Sequence, residues 1–292
     1  MSTSPQPDFS ANMARFTGAP GTGGYAAGYD RFRPTAPDIL GDFLCRMAGV
    51  IRPRLVVDLG SGTGLSSRYW AAYAEEVIGI EPTDAMRSRA EQSSTAFPHL
   101  SYRKAFSHDT GLPYQCAQIV NCGQSLHWMD PASTFREAAR ILQPRGVFAA
   151  YDYDWPPATG FWEVDAAYIR CTQRIESLEA EHGVAPVFQS DTSAPGTGQE
   201  VLRWVKEQHL QRMKQSGAFR HVQEVVMHQH DTGDADRLVG LMLSQGSVNT
   251  LLKLGFHEED IGIAEIREVA QRSLGNTAHP WLWSCRVRIG IT

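Results

Sequence analysis

The run Leu55-Val56-Val57-Asp58-Leu59, followed at once by Gly60-Ser61-Gly62-Thr63-Gly64, constrains this chain more than any other stretch. A short apolar run ending in glycines reads as a strand buried on both faces, as in a parallel sheet. The glycines let the backbone turn sharply and approach another molecule with no Cβ in the way. A helix follows, over about 63–74, and its first N–H groups offer unpaired donors and a partial positive end to an anionic group.

The alternation then repeats. Val77 to Glu81 reads as a second strand and Thr83 to Ser94 as a second helix. Leu100 to Arg103 is a weak strand and Gln118 to Cys122 a stronger one. Asp130 to Leu142 is a helix stopped by Gln143-Pro144-Arg145-Gly146, and Val147 to Tyr153 returns to strand. Strand and helix alternating at this length predict an α/β fold with a mostly parallel sheet and right-handed crossovers. Upstream, Thr35 before Ala36-Pro37 suits a helix start, and Ile39, Leu40, Phe43, Leu44 and Met47 recur at helical spacing.

After Trp155-Pro156-Pro157 the alternation stops. Phe161 to His182 and Glu200 to Gln215 read as helices separated by a loop, and Phe219 to His230 as a strand. Asp234 to Gln245 and Asp260 to Leu274 read as helices, and Trp281 to Ile291 as a closing strand. The expected organisation is a flexible polar arm over 1–25, which holds the glycine-rich stretch Gly18 to Gly24, and an α/β core over 26–155. A helical cap over 156–216 and returning strands and helices over 217–292 complete it.

Composition narrows the function classes. With 292 residues, a net charge of −5 and no long apolar run, the chain carries no global basic field for nucleic acid or anionic membrane and no bilayer span. The first ten residues lack a basic cluster followed by an apolar stretch, so a cytoplasmic location is expected. Five scattered cysteines without C-x-x-C argue against a disulfide framework or a thiolate zinc site. His228 and His230 would share one face of a strand with no third ligand near in sequence, so no metal is expected. Asp152 and Asp154 could bind a divalent ion or simply end a strand. P-loop and nucleophile-elbow motifs are absent from the sequence.

Glu81 ends the second strand 21 residues past Gly60, which puts a carboxylate beside the glycine loop, where it can accept hydrogen bonds from both hydroxyls of a ribose. A dinucleotide site wants G-x-G-x-x-G, whereas here Leu65 stands at the third glycine position and Gly64 comes one residue early. The D-L-G-S-G-T-G sequence over 58–64 resembles motif I of the class I S-adenosylmethionine-dependent methyltransferases.

The resemblance covers about residues 25–155. Tyr29-Asp30-Arg31-Phe32-Arg33-Pro34 is similar to the approach segment of the methyltransferases grouped with trans-aconitate and related small-molecule enzymes. Val77 to Pro82 with Met86, Thr110 to Pro113, Gln124-Ser125-Leu126-His127-Trp128 and Phe135 to Leu142 match further family segments. Arg145 stands where the family has the first of two paired glycines. The resemblance implies a Rossmann-like seven-stranded sheet with S-adenosyl-L-methionine as cofactor. Gly60, Ser61 and Gly62 would line its methionine part and ribose, with Asp58 beneath the loop. Glu81 would hold the ribose, Pro82 or Met86 would pack on the adenine, and Phe106 and Ser107 would stand at the adenine edge. Gln124 would lie near the sulfonium, and Tyr29 and Arg33 could meet the cofactor's carboxylate. Met86 also suits a plain core position.

Methyl transfer from a sulfonium asks the protein mainly to align acceptor, methyl and sulfur and to exclude water. A base is needed only when the acceptor must lose a proton. His127, just past the fourth strand, is the first candidate, with Glu163 and His209 behind it. Trp128, Trp155, Trp162 and Trp204 suggest an apolar or aromatic small-molecule acceptor, although tryptophans also serve as core. A nicotinamide-dependent oxidoreductase and a catalytically silent cofactor-binding protein of the same fold are the alternatives.

Overall fold

The computed structural model describes residues 7–16, 25–189 and 198–292. Three helices, α1 (Ser10–Arg15), α2 (Tyr25–Phe32) and α3 (Leu40–Met47), precede strand β1 (Leu55–Leu59). Then come α4 (Leu65–Ala71), β2 (Glu76–Ile80), α5 (Asp84–Ser93), β3 (Leu100–Arg103), β4 (Ala117–Gly123), α6 (Pro131–Ile141) and β5 (Leu142–Tyr153). The second half holds α7 (Trp162–Glu181), β6 (Val187–Gln189), β7 (Leu202–Trp204), α8 (His209–Gln215) and β8 (His221–Gly233). Helices α9 (Ala235–Leu243), α10 (Gly246–Lys253), α11 (Glu258–Ile261) and α12 (Ile263–Ser273) lead into β9 (His279–Ile291).

Seven strands form one sheet in the order β3-β2-β1-β4-β5-β9-β8, the first five parallel and β9 antiparallel to both β5 and β8. Alternation along each strand sorts side chains to two cores. Val56, Val77, Ile119 and Ala149 share one core with α3, α4, α7 and the helices between β8 and β9. Val57, Leu59, Val120 and Phe148 share the other with residues of α6 and α8. Strand order reverses between β1 and β4, which opens a crevice beyond their carboxyl ends.

The expected sheet and its order of elements hold, and the differences lie at its margins. Ser10–Arg15 is a helix rather than an arm: Asn12 and Leu202 exchange two hydrogen bonds (2.8 and 2.9 Å), and Arg15 pairs with Glu179 on α7. The glycine-rich stretch at 18–24 lies outside the described residues. Leu202–Trp204 is a strand paired with β6, not the start of a helix, because pairing overrides local composition there. The cap draws on both insertions. Arg170 of α7 reaches Glu265 of α12 at 2.6 Å, and Cys171 Sγ donates to the carbonyl of Ile261. The segment 217–292 therefore contributes helices to the cap as well as strands to the sheet. Gly262, at φ 91°, separates α11 from α12 within the single helix the sequence suggested.

Candidate functional site

Two connected chambers open at the switch point. The first encloses about 1090 Å³, solvent at its mouth included, and lies over the glycine loop. Its floor is Gly60, Ser61, Gly62 and Thr63 after β1, and its far wall is Glu81, Pro82, Thr83 and Met86 after β2. Phe106, Ser107 and His108 close one end, and Gln124, Ser125, Trp128 and Met129 after β4 close the other. Phe9, Asn12, Met13 and Phe16 from the α1 segment complete the wall.

Local chemistry explains the loop. Gly64 sits at φ 83°, and a Cβ there would stand 2.2 Å from Tyr102 Oη, so glycine lets α4 pack close to β3. Gly62 differs: at φ 55° it has no atom within 3.4 Å of a Cβ position, the nearest being Met86 Cε at 3.8 Å. Its missing side chain leaves chamber space open rather than a packing contact. Glu81 Oε2 accepts from the Gly62 N–H at 3.0 Å, and Oε1 from the Thr83 N–H at 2.8 Å. Burial raises the Glu81 pKa, opposed by those bonds and by Arg87. Each carboxylate oxygen keeps a lone pair for a further donor.

Asp58 lies beneath the loop and outside the chamber, as its strand position implies. It is fully buried, accepts from Ser67 Oγ (2.6 Å) and Asn121 Nδ2 (2.8 Å), and has its pKa pushed up to about 6 by desolvation. Gln124 adopts φ 54°, uncommon for a residue with a side chain, where β4 gives way to the site. It lines both chambers.

The second chamber, about 1360 Å³ on the same basis, shares Phe16, Tyr29, Gln124 and Trp128 with the first. Arg33, His127, Trp155, Tyr168, Arg203 and Lys206 line it further in, with Arg15, Glu176 and Glu179. His127 is buried, with Nδ1 3.4 Å from Asp152 Oδ1 but too poorly aligned for a hydrogen bond. Burial, and then the positive charge of Lys206, hold its pKa well below 6.5, so the imidazole is neutral at pH 7.

Several expected site residues fall elsewhere. Arg33 is in the second chamber and not the first; it donates to Ser244 and lies over the rings of Tyr29 and Trp155. Trp162 and Glu163 are exposed at the start of α7, Trp162 at 74%, and line neither chamber. Trp204 is buried against Phe9 in a small separate cluster. His209 is fully buried, with neither ring nitrogen bonded and its pKa driven down to about 3 by desolvation, and it reaches neither chamber. Asp152 pairs with Lys206 and Arg288, and Asp154 with Arg286, so both carboxylates are engaged by cations. Among the described residues no three metal-ligating side chains gather, and no helix is long and apolar enough to cross a membrane.

The sequence reading missed the α1 wall and His108, which stacks on Phe106 at 5.4 Å. Phe9, Met13 and Phe16, at helical spacing within a polar segment, were the available signal.

The residues fit the cofactor implied above. Glu81 has spare acceptor capacity and the space over Gly62 is open, while the unpartnered Ser61 Oγ is buried against Gly79 of β2. A mostly parallel sheet in this strand order, with an acidic strand end beside a D-x-G-x-G-x-G turn, defines the class I methyltransferase fold.

Comparison with known proteins gives the same assignment. Residues 57–150, about a third of the chain, match the family described as Methyltransferase domain. Over 150 residues it is 29% identical to a Saccharomyces cerevisiae protein, CRG1, described as a probable S-adenosylmethionine-dependent methyltransferase; the match covers 50% of this chain and 51% of the relative. It is 27% identical over 131 residues to a methyltransferase-named protein of Dictyostelium discoideum, covering 45% and 48%. The chain thus spans about half the length of these curated relatives. A solved structure from Anaeromyxobacter dehalogenans, described as a type II methyltransferase, shares the fold over 89% of this chain and 98% of its own, with a TM-score of 0.62 and 22% identity. S-adenosylmethionine is the cofactor of this domain class.

Proposed function

We propose that this protein transfers a methyl group from S-adenosylmethionine to a small molecule with an apolar or aromatic body. The observation that carries the reading is the tie between Glu81 and Gly62 across the floor of the first chamber. It couples the acid that suits a ribose to the loop that permits close approach. Glu81 would accept from the ribose hydroxyls, Pro82 and Met86 would flank the adenine, and Phe106 with Ser107 would border it. When bound, the cofactor supplies a methyl on sulfonium: an acceptor lone pair forms the new bond to carbon as the carbon–sulfur bond breaks.

The chain's own task is alignment. Phe16, Tyr29, Gln124 and Trp128 stand at the junction of the chambers, so an acceptor in the second faces the first through them. Aromatic walls exclude water and favour a cationic methyl on their faces. The neutral His127 accepts a hydrogen bond from an acceptor O–H or N–H and orients it. Its depressed pKa makes it a weak store for the proton, which argues for orientation over full abstraction. Transfer of radiolabelled methyl from S-adenosylmethionine to a panel of small aromatic and aliphatic nucleophiles tests the assignment. Label should move to at least one acceptor class; none accepting label from protein that binds S-adenosylhomocysteine would favour the catalytically silent alternative.

A further inference from the structure

The second chamber carries more positive charge than its carboxylates balance. Arg15, Arg33, Arg203 and Lys206 line it against Glu176 and Glu179. Glu176 is exposed at the rim, and Glu179 is engaged by Arg15 Nη2 at 2.7 Å. Lys206 is paired with Asp152 at 2.9 Å, whose other oxygen accepts from Arg288 at 3.2 Å. Arg33 spends two donors on Ser244.

Two guanidiniums remain underused. Arg15 is buried, with 5% of its surface exposed, and its Nε and Nη1 have no hydrogen-bond partner. Arg203, in the middle of β7, has no carboxylate within ion-pair distance among the described residues and lies over the rings of Trp128 and Phe188. Both cations converge on one indole: Arg15 Cζ lies 5.9 Å and Arg203 Cζ 5.3 Å from the Trp128 ring centroid. Burial lowers the Arg203 pKa and the neighbouring charge of Arg15 lowers it further, against the smaller opposing effects of the Asp152, Glu179 and Glu207 charges. Like charges held together with unused donors form a receptor for an anion, which would satisfy the donors and remove the repulsion.

We propose that Arg15, Arg203 and Trp128 form a subsite for an oxyanion carried by the methyl acceptor, a carboxylate or a phosphate monoester, which serves as a handle. This rests on the methyl-transfer reading for the word acceptor, although the anion site itself does not depend on it. The handle is a different group from the atom that takes the methyl. An oxygen clamped by two guanidiniums has its lone pairs engaged and is a poor nucleophile, whereas in-line displacement needs a free one. Guanidinium forks fit both planar carboxylates and phosphates.

Calorimetric titration of the full chain tests this with matched ligands: aryl and alkyl carboxylates, the corresponding phosphate monoesters, and neutral amides or alcohols of the same skeletons. Each is titrated with and without saturating S-adenosylhomocysteine, into wild type, Arg203→Met and Arg15→Gln. At least one acid series should bind saturably, at least tenfold tighter than its neutral partner, and lose at least tenfold in Arg203→Met while S-adenosylhomocysteine affinity is retained. Arg203→Met carries the test because Arg203 holds no ion pair, whereas Arg15 also secures Glu179. The carboxylate and phosphate arms identify which oxyanion is used. Acids binding no better than their neutral partners, or equally well in Arg203→Met, would overturn the proposal and leave cofactor binding intact. Acid binding in a protein that ignores S-adenosylhomocysteine would remove the methyl-transfer reading and leave the anion site.

Discussion

The carboxylate of Glu81 and the backbone of Gly62 meet at 3.0 Å, which joins the end of β2 to the turn after β1. A single acid thereby shapes the loop and faces the space above it. Removing the side chain should therefore act on both. Glu81→Ala is expected to weaken S-adenosylhomocysteine binding by about 2–4 kcal/mol, the scale of a lost pair of charge-assisted hydrogen bonds. Calorimetry on the folded variant checks it, and unchanged affinity would take Glu81 out of the ribose contact.

Two glycines of one turn should fail in different ways. Gly64→Ala forces a Cβ to 2.2 Å from Tyr102 Oη and is expected to cost about 1–3 kcal/mol in urea denaturation. Gly62→Val meets no wall atom within 3.4 Å of its Cβ position, so its stability loss, about 1–2 kcal/mol in urea denaturation, should come from a β-branched residue held at positive φ, and the fold should survive. The valine would instead occupy ligand space and abolish cofactor binding. Tight binding by Gly62→Val would contradict the close-approach argument.

His209 makes a pH-dependent stability prediction. Its folded pKa, about 3, lies below the ordinary 6.5, so between those values the unfolded chain binds more protons than the folded one. Stability from this site is full above pH 6.5 and falls as the pH drops below it, by about 2 kcal/mol between pH 7 and 5. His209→Leu should shrink that dependence when urea midpoints are compared at the two pH values. An identical slope in the variant would show that His209 is not held neutral.

The tryptophans separate by position rather than by number. Trp128→Ala, at the junction of the chambers, should raise the acceptor KM at least tenfold. Trp162→Ala, exposed and away from both chambers, should leave kcat and KM unchanged. Equal effects from the two would contradict the placement of the acceptor.

Much of the core was legible because local and global signals agree there. The β1 run is apolar on both faces because helices cover both faces, and Glu81 could be placed by counting from Gly60. Arg145 illustrates a departure that the backbone absorbs: it takes φ 67°, the left-handed conformation for which glycine is the usual choice. What stayed hidden depends on long-range contacts. Arg15 gains its role only by meeting Glu179, 164 residues away, and Arg203 only by β7 pairing with β6. Trp162 and Trp204 look alike in sequence, yet one is in solvent and the other is buried against Phe9. Composition alone cannot rank aromatics whose burial is decided by insertions that pack on each other.

The most direct measurement is a calorimetric comparison of S-adenosylhomocysteine with NAD on the wild-type chain. S-adenosylhomocysteine should bind saturably and one-to-one, and NAD should not bind at the same concentrations. Preference for NAD, or heat from neither ligand in folded protein, would contradict it.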